Sequence, residues 1–314
     1  MKHLILGAAM AVALAVPGFA QDYTIMAPAS PGGGWDGTAR SMQEVMQAEG
    51  IASSVEVINV PGAGGTVGLA QFVADSAGDP TKLIVGGYVM VGAILTNASP
   101  VTLKDVTPIA RLTGDYEAIV VSAASDIQTI GDLVEKLKAD PGAVSWAGGS
   151  AGGTDHILVG LLAKSAGVDP TKINYVAFSG GGEAMAAILG NQVTAGVSSV
   201  GEFAEQVKAG TMRLLAVSSA ERLPGVDAPT LKEAGFDVVL ENWRMVAAAP
   251  GLSDEQKAKI AADIEKLNAS AGWNEMLAKK GWNNTYLAGD AFITQLQADT
   301  AATEAVLRDI GLVK

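Results

Sequence analysis

Short apolar segments alternate with helix-forming segments between residues 23 and 218 of this 314-residue chain, and this alternation restricts the possible folds more than any other feature. The apolar runs at 23–27, 54–59 and 82–87 are each followed by a segment with helical periodicity. Strands that alternate with helices at this spacing are typical of parallel sheets covered by helices on both faces. We therefore predict an α/β fold, with further strands at 143–149, 173–178, 193–198 and 213–218.

The last 60 or so residues have a different character. Ser253 followed by Gln256 is a capping-box pattern that predicts the start of a helix. The segments 272–280 and 290–310 are also helical in pattern, and we predict no strand in this part of the chain. Helices without strands of their own are expected to pack on an earlier domain.

The first twenty residues have the composition of a secretory signal peptide. A basic start, an apolar centre and small residues at Gly18 and Ala20 predict cleavage after Ala20 and export to the periplasm. The longest other apolar stretch, 83–95, is too short for a membrane-spanning helix, which needs about 20 residues. We therefore expect an exported, soluble protein.

Charge and composition exclude several classes of function. The formal net charge is −12 and there is no basic run, so nucleic acid and anionic membrane surfaces are poor partners. The chain has no cysteine, and removal of the signal peptide leaves His156 as its single histidine. This composition predicts neither a disulfide framework, nor a metal site, nor a cofactor.

Four glycine-rich turns stand where a predicted strand ends and a predicted helix begins, at 30–36, 60–68, 147–156 and 178–184. The N-terminus of a helix offers unpaired N–H groups and a partial positive charge, which together form an anion site. Glycine lets an anion approach the backbone closely. None of the turns carries the lysine of a nucleotide-binding P-loop, so carboxylates fit them better than nucleotide phosphates.

An exported serine hydrolase is the alternative function. The segment 148–152 matches the G-x-S-x-G pattern, and Ser150, Asp155 and His156 follow one another in a plausible triad order. Asp155 and His156 are adjacent at a predicted helix start, however, so their side chains diverge by about 100°. This geometry disfavours a catalytic triad.

Single side chains near the turns permit more than one role. Asp36 lies four residues before Arg40, which favours a structural ion pair, and its other possible role is to hold the glycine loop in shape. Trp35 fits the ligand or the core equally well, and His156 fits a cap or a supporting residue better than a ligand contact. Glu202 is able to accept a hydrogen bond from a ligand hydroxyl or a loop N–H. Three arginines are candidate bidentate partners of a carboxylate, and the sequence does not choose among them: Arg111, Arg213 and Arg244.

An ordered series of motifs resembles the TctC or Bug family, the periplasmic substrate-binding proteins of tripartite tricarboxylate transporters. The series consists of "APASPGGGWDGTARSMQEVM", "VINVPGAGGTVGLAQF", "WAGGSAGGTDHILVGLLAKSAGV" with its continuation to residue 203, "GTMRLLAVSSAERLPGVDAPTLKEAGFDV" and "NWRMVAAAPGLSDEQ". It covers essentially the whole mature chain. Many Bug members carry a "YKG" type sequence where this chain has "AFSGGGEA", which looks more like the tricarboxylate branch and makes citrate-like acids or dicarboxylates plausible ligands.

The resemblance implies a two-lobed periplasmic-binding-protein fold of type II, with a mostly parallel sheet in each lobe and two crossover strands. One lobe would comprise 22–122 plus 244–314 and the other 123–243, with crossings near "AIVVSA" and "NWRMVAAAP". It further implies a monomer that binds a small organic acid without chemistry and delivers it to the membrane permease subunits of the transporter. A receptor that partners a signalling kinase is a minor alternative.

The predicted ligand-binding residues come from the glycine turns, from the family's matching positions and from neighbouring strand ends. They are Ser30, Gly32, Gly33, Gly34, Trp35, Asp36, Gly64, Gly65, Thr66, Tyr88, Ser150, Ala151, Gly153, Thr154, Asp155, His156, Ser179, Gly180, Gly181, Ser198 and Glu202.

Overall fold

The structure of the protein is a computed structural model that describes residues 21–178 and 181–314. The predicted signal peptide and its cleavage site after Ala20 lie outside the described residues, as do Ser179 and Gly180 of the fourth glycine turn. Among the described residues, no helix combines the length and the apolar character needed to cross a lipid bilayer.

Three parallel strands form the centre of the first lobe. Strand β1 (Gln21–Ala27) lies between β2 (Ala52–Asn59) and β3 (Lys82–Gly87), and both pairings are parallel. Buried side chains such as Ile25 and Leu83 explain why the apolar runs predicted these strands to within two residues.

Three further parallel strands form the centre of the second lobe. Strand β5 (Ser145–Gly148) lies between β6 (Asn174–Ala177) and β7 (Ala195–Ser199). The two lobes therefore repeat one arrangement, and in each the parallel strands end at the edge where the glycine turns begin.

Two long strands connect the lobes. Strand β4 (Thr107–Ser122) pairs antiparallel with β9 (Glu241–Ala248) along its first part, and with β7 and β8 (Met212–Val217) along its last six residues. Strand β9 also pairs antiparallel with β3. Each sheet is thus mixed, with a parallel core closed by antiparallel crossover strands. The lobe boundaries expected from the sequence stay a prediction.

The prediction that the last 60 residues contain no strand is wrong. Strand β10 (Asn283–Ala288) pairs antiparallel with β4 of the first lobe. Its sequence, "NNTYLA", is short, polar at its start and largely exposed or half-buried, so it lacks the apolar alternation by which strands are recognised. Backbone pairing along β4 is what makes it a strand.

Ten helices cover the sheets within the described residues. They are α1 (Gly34–Ala48), α2 (Thr66–Asp75), α3 (Tyr88–Thr96), α4 (Ile130–Ala139), α5 (Thr154–Ser165), α6 (Gly181–Leu189), α7 (Val200–Lys208), α8 (Asp254–Ala269), α9 (Ala271–Lys280) and α10 (Gly289–Asp309). The predicted capping box of α8 is confirmed, since Ser253 and Gln256 cap each other's backbone N–H groups. Helix α4 has the same device at Thr129 and Asp132 but was not predicted from the sequence.

The C-terminal helices pack mainly on the first lobe. Trp273 of α9 is fully buried, and Asp263 of α8 accepts a 2.9 Å hydrogen bond from the Tyr23 hydroxyl of β1. The end of α10 contacts the second lobe instead, where Ile310 lies against Gly160 of α5. The expectation that this block packs on an earlier domain therefore holds for most of its length, and α10 reaches across to the other lobe.

Candidate functional site

A cavity of about 400 Å³ lies between the two lobes. Its walls are formed by the glycine turns at the carboxyl ends of β1, β2, β5 and β6, by the end of β7 and by the crossover strand β9. The lining residues are Pro28, Ala29, Gly33, Gly34, Trp35, Pro61, Gly62, Ala63, Gly64, Gly65, Val89, Asn97, Gly149, Ser150, Ala151, Gly153, Thr154, Asp155, Ala177, Phe178, Glu183, Ser198, Ser199, Glu202, Asn242 and Arg244.

Four helices begin at this cavity without a side-chain cap. The N-cap residues of α1, α2, α5 and α7 are Gly33, Gly65, Gly153 and Ser199, and none of them accepts a hydrogen bond from the first turn of its helix. Among the helices that begin elsewhere, α4, α8 and α9 are capped by Thr129, Ser253 and Ser270, whereas α10 has no side-chain cap. The first-turn N–H groups at the cavity are therefore available to an anion between the lobes.

Asp36 shapes the first glycine turn from outside the cavity. Its carboxylate accepts hydrogen bonds from the Gly32 N–H (2.9 Å), the Arg40 guanidinium (3.0 Å) and the Asn59 amide (2.9 Å). Burial pulls the pKa of Asp36 upwards, but these hydrogen bonds outweigh it and hold the pKa below its usual range. The structural ion pair with Arg40 is thus present, and Asp36 fixes the loop without lining the cavity.

The second glycine turn packs closely on the first. Gly65 has a φ of 89°, and a Cβ atom there would lie 2.6 Å from the ring of Trp35. A larger residue is therefore excluded both by the backbone conformation and by the indole. Trp35 lines the cavity with only 8% of its surface exposed, so it packs in the core at the cavity wall, and its contact with a ligand stays a prediction.

Asp155 and His156 hold the third glycine turn. The Gly149 N–H donates to Asp155 Oδ2 at 2.6 Å, and the Gly152 N–H donates to His156 Nδ1 at 3.2 Å. The imidazole stacks on the ring of Tyr175 at 4.1 Å, and burial lowers the pKa of His156 to about 4. Since Asp155 and His156 bond different backbone groups of the loop, they do not form the relay that a catalytic triad with Ser150 needs.

Strands β4 and β9 contribute a buried network of charged side chains, Asp115, Glu117 and Arg244, which we call the floor of the site. Arg244 of β9 donates through Nη2 to Asp115 Oδ2 of β4 at 3.0 Å, and only 3% of the arginine is exposed. Glu117, two residues further along β4, has no exposed surface, and neither of its carboxyl oxygens has a hydrogen-bond partner among the described residues. Burial raises the pKa of Glu117 well above its ordinary value, and the charge of Asp155 raises it further.

Two more carboxyl groups of the network line the cavity itself. Burial raises the pKa of Asp155 to about 7 against the opposing hydrogen bond from Gly149, and the charge of Glu202 adds to the rise. Burial also raises the pKa of Glu202, whose Oε2 accepts a 2.7 Å hydrogen bond from the Ser198 hydroxyl. The uncapped helix ends therefore face a floor rich in carboxyl groups.

The structure distinguishes among the three candidate arginines. Arg244 lines the cavity, whereas Arg111 donates to the carbonyl of Thr285 and Arg213 donates to carbonyls of the 123–127 turn. A smaller cavity of about 190 Å³ adjoins the first and shares Arg244 and Glu202 with it. Trp282 lines this second cavity and lies under the Arg244 guanidinium at 5.1 Å.

The structure brings most of the predicted site residues together. Those that line the main cavity are Gly33, Gly34, Trp35, Gly64, Gly65, Ser150, Ala151, Gly153, Thr154, Asp155, Ser198 and Glu202. Those that lie outside its lining are Ser30, Gly32, Asp36, Thr66, Tyr88 and His156. Ser179 and Gly180 lie outside the described residues, and Gly181 begins α6.

The residues outside the lining have structural contacts that explain their position. The Thr66 hydroxyl donates to the Ala63 carbonyl, and Tyr88 packs edge-on against Trp243. Gly32 lines the adjoining cavity. Sequence reasoning missed Asn242, Asp115 and Glu117. The sequence of β4, "TPIARLTGDYEAIVVS", could have pointed to Asp115 and Glu117, because these two acids interrupt a largely apolar strand.

Residues 38–312 match the model of the tripartite tricarboxylate transporter family receptor, TctC. Among curated relatives, the protein BugT of Bordetella pertussis is 29% identical over 239 residues, which cover 74% of this chain and 72% of BugT. A UPF0065 protein of Bordetella bronchiseptica is 30% identical over 280 residues, which cover 86% of this chain and 81% of the relative.

Solved structures show the same fold. The periplasmic binding protein BugD superposes with a TM-score of 0.83 at 22% identity, over 94% of this chain and 99% of BugD. MatC of Rhodopseudomonas palustris with bound malate has a TM-score of 0.80 at 24% identity, over 93% and 100% of the two chains. Another R. palustris protein, with adipate, has a TM-score of 0.81 at 21% identity, over 93% and 97%.

Proposed function

This chain belongs to the tripartite tricarboxylate transporter receptor family, the TctC or Bug group of periplasmic binding proteins, and on that premise we propose that it captures a small organic acid in the cavity between its lobes. The convergence of four uncapped helix N-termini on one cavity is the observation that carries the proposal. Each offers N–H donors and a positive dipole end to a carboxylate.

The size of the cavity and the neighbouring structures support a ligand of the di- or tricarboxylate class. A cavity of about 400 Å³ is within the range of sites for small metabolites. Two similar structures hold malate and adipate. We therefore propose a dicarboxylate or a citrate-like acid for this chain.

The binding site that we propose consists of the predicted residues that line the cavity, with Asn242 and Arg244 added from β9. The lobes would be 22–122 plus 244–314 and 123–243, hinged where β4 and β9 cross between them, and would close around the acid. The mature protein would be a periplasmic monomer, released by cleavage after Ala20. It would deliver its ligand to the membrane permease subunits of a tripartite transporter and carry out no chemistry.

Thermal shift and calorimetry with matched ligand pairs test the proposal. Each dicarboxylate or tricarboxylate is compared with the neutral amide of the same skeleton, for example malate with malamide. We expect the acids to raise the Tm and to bind at a single site, whereas the amides leave the Tm unchanged because they carry no charge for the helix ends. If no carboxylate in a broad panel raises the Tm, or if the amides bind as tightly as the acids, the proposal is wrong.

A further inference from the structure

The smaller cavity that adjoins the main one is bordered by both lobes. It has a volume of about 190 Å³ and lies on the side of Arg244 where Trp282 packs. Helices α1 and α9 of the first lobe and α7 of the second contribute to its wall. Gly201 of α7 approaches the other lobe so closely that a Cβ atom there would lie 3.0 Å from the carbonyl oxygen of Lys280. A molecule held in this cavity would therefore contact both lobes.

Two helices begin at the adjoining cavity without a side-chain cap. Gly33 and Ser199 are the N-cap residues of α1 and α7, and neither accepts a hydrogen bond from the turn that follows. Gly34 and Gly201 stand in those first turns and line the cavity, and their lack of a side chain leaves the backbone accessible. The two helix ends thus supply N–H donors and positive dipole ends from both lobes.

A buried guanidinium group adds an unused donor to the same wall. Nη2 of Arg244 bonds to Asp115, but Nη1 has no hydrogen-bond partner among the described residues. Only 3% of Arg244 is exposed, and its guanidinium lies 5.1 Å from the ring centre of Trp282, which also lines this cavity. A buried charged donor without an acceptor is costly, so this arrangement calls for an acceptor from outside the chain.

Two lysines and one acid complete the charges of the wall. Lys279 and Lys280 stand in the last turn of α9 and line the cavity, and Lys280 Nζ lies 6.0 Å from the ring centre of Trp282. Neither lysine forms an ion pair with another described residue. Glu202 is the acid of the described lining, and burial raises its pKa, which disfavours its negative charge. The described wall therefore carries an excess of positive charge.

We propose that the adjoining cavity is a second anion site, which binds a tetrahedral oxyanion such as sulfate or phosphate separately from the organic acid of the main cavity. Two helix ends, a guanidinium group and two ammonium groups approach from several directions, and an oxyanion accepts hydrogen bonds from several of them at once. A halide ion offers a single acceptor atom to the same donors. Because the donors belong to both lobes, the bound oxyanion stabilises the arrangement in which the lobes are in contact.

Calorimetry and thermal shift with sulfate on the ligand-free protein test the inference. The ionic strength is held constant with sodium chloride, so that screening and binding of chloride do not change during the titration. We expect a saturable sulfate site with a Kd below about 10 mM, and a Tm that rises with the sulfate concentration. Phosphate should compete with sulfate for this site.

Lysine variants assign the binding to the adjoining cavity. The double variant Lys279→Gln, Lys280→Gln should weaken sulfate binding about tenfold, because two charge-assisted donors are lost. The matched control is Lys104→Gln, Lys208→Gln, which removes the same charge from two exposed lysines that line neither cavity. It should leave the sulfate affinity within about twofold of the wild type.

A third variant separates the two cavities. Ser150 lines the main cavity but not the adjoining one, so Ser150→Asp places a carboxylate where it repels anions in the main cavity. We expect this variant to lose binding of organic acids and to keep its sulfate affinity within about threefold of the wild type.

The outcomes separate this inference from the proposed function. The inference is overturned if sulfate shows no saturable binding in that concentration range, or if the lysine double variant binds sulfate as tightly as its control. A loss of sulfate binding in Ser150→Asp as large as that in the lysine double variant also overturns it, because the anion would then occupy the main cavity. All three results leave the proposed function standing. The proposed function fails if no carboxylate raises the Tm, whether or not sulfate binds.

Discussion

Replacing Gly34 by alanine is expected to destabilise the protein through a buried ion pair. Gly34 is the first residue of α1, and a Cβ atom there would lie 2.7 Å from Nη2 and 3.1 Å from Nε of Arg244. Ordinary contact begins near 3.4 Å, so the guanidinium would have to move by about 0.7 Å. It is buried, bonded to Asp115 at 3.0 Å and packed on Trp282, so any movement of the guanidinium disturbs these two contacts.

The size of the effect follows from these contacts. Overpacking a close contact typically costs about 1–3 kcal/mol, and breaking a buried ion pair on one side costs about 3–5 kcal/mol. Replacing a helical glycine by alanine stabilises the helix by at most about 1 kcal/mol, which offsets part of this cost. We therefore expect Gly34→Ala to lower the free energy of unfolding by about 1–3 kcal/mol, and by more if the pair with Asp115 breaks.

Urea denaturation of the ligand-free protein measures this change, and the preceding residue supplies the control. A Cβ atom on Gly33 would meet only the Ser30 carbonyl oxygen, at 3.7 Å. The free energy of unfolding of Gly33→Ala should therefore be close to that of the wild type. In an Arg244→Met background the penalty of Gly34→Ala should largely disappear, because the guanidinium that it displaces is absent. Equal stability of Gly34→Ala and Gly33→Ala would refute the reasoning.

Three other predictions follow from the site. A Cβ atom on Gly92 of α3 would overlap the carbonyl oxygen of Gly152 in the other lobe, so Gly92→Ala should keep the two lobes apart at this contact. We expect weaker ligand binding in calorimetry, while the Tm of the ligand-free protein does not fall. Unchanged affinity would show that the ligand-bound state does not need this contact between the lobes. Burial raises the pKa of Asp155 from 3.8 to about 7, so the folded ligand-free protein retains a proton that the unfolded chain loses. Its Tm should fall between about pH 4 and pH 7, and Asp155→Asn should flatten that fall; a profile identical to the wild type would show that another group is responsible. Asp36→Ala removes the acceptor of the Gly32 N–H. It should lower the free energy of unfolding in urea by about 1–3 kcal/mol and weaken ligand binding. Unchanged binding would mean that the loop keeps its conformation without Asp36.

Periodicity and turn chemistry predicted most of the architecture. Seven strands were recognised from short apolar runs, most of which are buried, although β6 is largely exposed. The capping box of α8 was recognised because its two residues lie within four positions of each other. The glycine turns pointed to anion binding because the conformation of a strand–turn–helix junction is a local property. Strand β10 was missed for the opposite reason: its pairing with β4 joins segments about 170 residues apart.

The candidate site was predicted only in part. The loop residues of both lobes were identified, since each turn carries its own signature, although Tyr88 and His156 support the site from outside its lining. Arg244 could not be chosen over Arg111 and Arg213, because all three lie in strands and differ only in what surrounds them.

The sequence alone determined the α/β class, the family and the positions of the glycine turns at which helices begin, since these depend on local periodicity and on short contiguous motifs. Only the tertiary structure decided that Asp115, Glu117 and Arg244 lie under the loops from both lobes and give the floor its excess of carboxyl groups. Charges interact through space, and residues far apart in the chain become neighbours only where the crossover strands bring them together.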